Sequence, residues 1–70
     1  MRIVEIRDMS TEDILSTLND VREELMRLRF QITTGELVDH NQLKYARQNI
    51  ARLMTVLRER QLNEQTEGEV

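Results

Sequence analysis

Apolar residues recur along this chain in two runs of heptad spacing. The first is Ile14, Leu18, Val21, Leu25, Leu28 and Ile32, at intervals of 4, 3, 4, 3 and 4 residues. The second is Leu43, Ala46, Ile50, Leu53 and Leu57, at intervals of 3, 4, 3 and 4. That period puts each run on one stripe of an α-helix and predicts two amphipathic helices with matching seams. Both open on the same start signal. Ser10 stands as an N-cap, Asp13 completes a capping box with Asp in place of Glu, and Met9 and Ile14 set a hydrophobic staple. Asp39, Gln42, Val38 and Leu43 repeat that arrangement at the second helix.

The first helix is expected over about 11–34, because β-branched Ile32, Thr33 and Thr34 weaken it and Gly35 suits a left-handed C-cap. The turn is expected over 35–39 and the second helix over about 40–62. At 1.5 Å per residue each rod spans roughly 35 Å, so a short link folds them back antiparallel. Residues 63–70 are polar and acidic and read as a disordered tail. Ile3, Val4 and Ile6 either pack across the open end or lie in a short extended arm. The expected fold is all-α: a long antiparallel two-helix hairpin over residues 1–62, with a short N-terminal arm and a disordered acidic C-terminal tail. A chain this short with no disulfide or metal staple should be marginally stable and should gain from an outside surface.

Both helices carry residues that the seam does not use. With Leu28 at zero on a 100° wheel, the first seam lies between about 0° and 80°. Leu15, Met26 and Phe30 fall at about 140–200°, flanked by Arg22 and Arg29 at about 100–120°. An exposed Phe alone needs no explanation, but one bracketed by Met26 and Arg29 suggests a docking surface. On the second helix Lys44, Arg47, Ala51 and Arg58 share a flank, with Thr55 nearby. Arg52 projects elsewhere, near Tyr45 and Val56. Small Ala51 and Thr55 between long cations would let a sugar-phosphate backbone approach. The competing reading is arginines paired with acids. Glu59 is the one acid at hand in the second helix, although acids of the first could reach across the hairpin.

Charge sharpens the picture. The chain has 70 residues and a formal net charge of −3, but that sum is unevenly laid out. Residues 1–26 carry three Arg against seven acids, 27–60 carry seven basic groups against three acids, and 61–70 carry three acids. A basic middle segment favours an anionic partner even in an acidic protein. Nine of the ten basic residues are Arg, whose planar fork suits phosphate. Absent chemistry narrows the classes further. There is no Cys, and a single His, His40, reads as a solvated residue. No phosphate loop or catalytic set is present, and a thin hairpin implies no pocket. The chain reads as soluble and intracellular. No enzyme activity, cofactor, metal, membrane or small-molecule substrate is expected.

The segments Leu25–Leu37, LMRLRFQITTGEL, and Gln48–Arg60, QNIARLMTVLRER, resemble a bacterial large-subunit ribosomal protein family, number twenty-nine in the usual series. The resemblance runs from Ile6 to Arg60 and rests on Leu28-Arg29-Phe30-Gln31, Thr34-Gly35-Glu36-Leu37, Ile50-Ala51-Arg52 and Thr55-Val56-Leu57-Arg58-Glu59-Arg60 in that order. It implies a long helical hairpin in the cytoplasmic large ribosomal subunit. It also implies binding to large-subunit ribosomal RNA near the outer mouth of the nascent-peptide tunnel. Ribosomal protein number twenty-three would be its neighbour, and nascent-chain factors would dock close by. With the basic flanks, it makes Arg22, Arg29, Phe30, Gln31, Lys44, Arg47, Ala51, Arg52, Thr55 and Arg58 the candidate RNA-binding residues. Leu15 and Met26 are the candidate protein-docking residues. The alternative is a protein-interaction module that self-associates through its heptad seam.

Overall fold

A computed structural model describes residues 1–36 and 39–68, with side chains described through residue 64. It contains α1 (Ile3–Arg7), α2 (Thr11–Thr33) and α3 (His40–Gly68). The molecule measures 55 × 19 × 16 Å, the proportions of a long hairpin with one short addition.

The start signals behave as capping chemistry requires. Ser10 sits in the extended region and its hydroxyl accepts from the Asp13 amide at 3.1 Å. Asp39 caps α3 one residue earlier in the turn: its Oδ1 accepts from the Asn41 amide at 2.9 Å, while the Gln42 amide donates to the Asp39 carbonyl at 2.9 Å. The staple partner expected at Val38 lies outside the described residues. Thr34 is the C-cap of α2, and Gly35 follows at φ 82°. The Gly35 amide donates to the Ile32 carbonyl at 3.2 Å and the Glu36 amide to the Gln31 carbonyl at 2.9 Å. Those two bonds form a Schellman motif, which satisfies carbonyls that the last helical turn leaves open.

The seam closes as its spacing predicts. Ile14, Leu18, Val21, Leu25 and Leu28 of α2 are buried with Ala46 and Leu53 of α3, and Leu43, Ile50 and Leu57 pack against them. Ile32, counted with the seam, is exposed at 37%. Val56, expected off the seam beside Arg52 and Tyr45, is a core residue at 1% exposure. The reason is α1. This segment forms a short helix rather than an extended arm, and it packs against α3. Ile6 is fully buried and Ile3 partly so, on the i, i+3 spacing that faces one side of a helix.

Hydrogen bonds fix its direction. Arg52 Nη1 donates to the Met1 carbonyl at 3.1 Å, and Arg7 reaches Glu59. α1 therefore runs parallel to α3, and the turn at Asp8–Ser10 sends α2 back antiparallel. Arg60 binds that turn, donating to Thr11 Oγ1 at 2.8 Å, to the Arg7 carbonyl at 3.1 Å and to the Met9 carbonyl at 2.6 Å.

α3 also continues past the boundary expected near Leu62, with helical backbone to Gly68. Gln61, Leu62, Glu64 and Gln65 are good helix formers, and no Pro intervenes. Glu69 and Val70, the end of the acidic tail, lie outside the described residues.

Two substitutions test this architecture by urea unfolding followed by circular dichroism. Ile6→Ala should lose roughly 2–5 kcal/mol by emptying a buried site. Gly35→Ala should lose roughly 1–2 kcal/mol, the cost of a left-handed L-residue. Among the described residues nothing lies within 4 Å of a Cβ placed at Gly35, so no steric clash adds to it.

Candidate nucleic-acid interface

The seam fixes where every other side chain goes. Arg22 and Arg29 are one heptad apart on α2, as are Lys44, Ala51 and Arg58 on α3. Seven residues bring a helix back to within about 20° of the same direction. One member of each row therefore fixes the side for the others. Arg22 supplies it: its Nη2 lies 3.8 Å from Met54 Sδ across the hairpin. Arg22, Met54, Thr55 and Arg58 together line an open groove of about 540 Å³, with Leu18, Leu57 and Gln61. Arg29, Arg47, Ala51 and Lys44 extend that side along the rod, and all four are exposed. α1 occupies the opposite flank of α3, so the groove side stays open.

The structure thus brings together Arg22, Arg29, Lys44, Arg47, Ala51, Thr55 and Arg58. It does not bring Gln31 and Arg52 to them. Gln31 is half-buried on the far flank of α2, and its carbonyl accepts from the Thr34 hydroxyl at 3.1 Å. Arg52 is half-buried against the start of the chain through its bond to Met1. Leu15, Met26 and Phe30 are exposed at 52%, 70% and 67% on the outer side of α2, away from α3. Phe30 plays no part in the core.

Pairing within the chain does not neutralise this side. Among the described residues there is one ion pair, Arg7 with Glu59 at 3.0 Å, and the Arg7 Nε also donates to Glu59 at 3.3 Å. The hydrogen bond, and then the charge, of Glu59 raise the Arg7 pKa above its ordinary value. Glu59 was the acid available to the α3 arginines, and α1 engages it instead. The acids of α2 do not reach across: Asp13, Asp20 and Glu24 fall on the flank away from Arg22, and Glu12 and Glu23 point outward.

Two residues escaped the sequence reading. Met54, one heptad from Arg47, is an apolar side chain lining the groove, and that spacing could have revealed it. Arg60 looked like one more basic residue, yet it ties three backbone and side-chain oxygens of the open end. No periodicity announces such a contact. Among the described residues, no group of three or more His, Cys, Asp or Glu could hold a metal, and no helix is long and apolar enough to cross a membrane.

Comparison with known proteins gives a consistent picture. A family model described as Ribosomal L29 protein matches residues 4–60. The large ribosomal subunit protein uL29 of Streptomyces coelicolor is 45% identical over 62 residues, covering 89% of this chain and 84% of that protein. The protein of the same name from Natranaerobius thermophilus is 44% identical over 63 residues, covering 90% and 97%. That from Clostridioides difficile is 42% identical over 64 residues, covering 91% and 96%.

Two substitutions should separate the structural arginine from an exposed one. Arg60→Met removes charge-assisted hydrogen bonds at the open end and should cost roughly 1.5–3 kcal/mol in urea unfolding. Arg58→Met, with no such partners, should change stability by no more than about 0.5 kcal/mol.

Proposed function

The chain belongs to the ribosomal L29 protein family, and on that premise we propose that it is a structural constituent of the cytoplasmic large ribosomal subunit, held on large-subunit ribosomal RNA by the basic side of its hairpin. The observation that carries this reading is unneutralised charge. Arg22, Arg29, Lys44, Arg47 and Arg58 lie along one side of a rod, and none has an ion-pair partner among the described residues. Exposed cations aligned in this way are suited to phosphates, whose binding displaces condensed counterions. Phe30 supplies an apolar surface for a ribose or base, and Leu15 and Met26 one for a protein neighbour. Gln31 and Arg52, on the other flank, are left out of the proposed interface. The role is structural and calls for no catalytic group and no cofactor.

On the strength of the family resemblance, the reading extends to a position near the outer mouth of the nascent-peptide tunnel. Ribosomal protein number twenty-three would be the neighbour there, with nascent-chain factors docking close by. The self-association alternative loses its main support. The heptad seam it would use is filled inside a single chain by α2 against α3, with Ile6 closing the open end.

Sedimentation of a native lysate tests the reading. The protein should travel with the large subunit and resist moderate salt; recovery in the light fractions would overturn it. In titrations with large-subunit ribosomal RNA, five phosphate contacts predict a log–log salt slope of about −3.5 to −4.5. A slope near zero would count against binding through this side.

A further inference from the structure

The groove between α2 and α3 has a pattern of donors and acceptors that charge alone does not describe. Arg22 and Arg58 line its two sides, and a guanidinium can only donate. Thr55 lies in the same groove, and its hydroxyl donates to the Ala51 carbonyl at 2.7 Å. That bond is an ordinary one for a helical threonine, but it commits the hydroxyl proton. The oxygen left facing outward is an acceptor. Gln61 adds an amide at the end of the groove, and Met54 forms part of its apolar floor. Ala51, one turn before Thr55, is exposed and short, so the approach to this oxygen is open.

Two cationic donors and one acceptor lining a single groove are complementary to anions and a donor held close together. An RNA backbone offers that set, with a ribose 2′-hydroxyl next to its phosphates. A DNA backbone lacks the donor. We infer that this groove is a ribose-phosphate subsite, with Arg22 and Arg58 on phosphates and Thr55 Oγ1 accepting from a ribose 2′-hydroxyl. The inference rests on the ribosomal reading and adds to it a specific point of contact and a means of telling RNA from DNA.

The test uses large subunits purified from cells that carry the wild-type chain or a variant, probed with a reagent that acylates free ribose 2′-hydroxyls. In wild-type particles one ribose beside the protein should be protected. Thr55→Val, which keeps the shape and removes the hydroxyl, should raise acylation there about fivefold, the loss of one neutral hydrogen bond. Thr55→Ser should restore protection. Arg22→Gln and Arg58→Gln should each lower the salt concentration that strips the protein from the particle. Arg27→Gln, on the far flank of α2, should not. A protein that remains in the particle with an unchanged acylation pattern in Thr55→Val overturns the subsite and leaves the ribosomal reading standing. Salt sensitivity in Arg27→Gln equal to that of Arg22→Gln overturns it in the same way. Absence of the wild-type chain from the particle overturns both.

Discussion

Two helices can bury only one stripe from each other, and in this chain that stripe orients everything else. Leu18, Leu25 and Leu28 on α2 meet Ala46 and Leu53 on α3 in one continuous buried stripe. Once they do, the heptad period carries Arg22 and Arg29 to one side of the rod and Asp13, Asp20 and Glu24 to the other. The antiparallel register then sets Arg22 across from Met54. The basic side is thus a consequence of core packing rather than a separate design.

Net charge is a poor guide to a molecule of this shape. The chain is acidic overall, at −3, yet a Debye length of about 8 Å at physiological salt is far smaller than the 55 Å rod. Acids at the C-terminal end of α3 therefore do little to the field around Arg29 or Lys44. Closer acids are turned away by the helix wheel or, like Glu59, engaged elsewhere. The field that a polyanion meets is that of one side, and that side is positive.

The parts of the fold written in local signals were legible in the sequence. Ser10, Asp39 and Gly35 announce helix ends through short-range hydrogen bonds, and the leucine spacing announces the seam. What was not legible depends on distant contacts. Five residues are too few to show a helical period, so α1 was left between a packed segment and an extended arm. Because α1 covers one flank of α3, Val56 becomes core and Arg52 and Arg60 become structural, although nothing near them in sequence says so. The basic side was half legible. Each helix shows its own row of cations, but the groove they form together depends on the register between helices, which a single sequence does not display. α3 reaches Gly68 rather than the boundary expected near Leu62, since no Pro or Gly stands between them to mark a stop.

The contact between Arg22 and Met54 shows how such a surface can be prepared without being neutralised. An exposed arginine free to sample its rotamers loses up to about 2 kcal/mol of conformational freedom when it binds. A carboxylate partner would hold it in place, but that pair would have to be broken, or the phosphate would meet a cancelled charge. A thioether 3.8 Å from the guanidinium restrains the side chain weakly and leaves its charge intact. Arg7 and Arg60, by contrast, meet a carboxylate or several oxygens and serve the fold. The same residue type thus does two jobs here, and the partner decides which: oxygen acceptors where the arginine closes the core, sulfur or none where it faces outward.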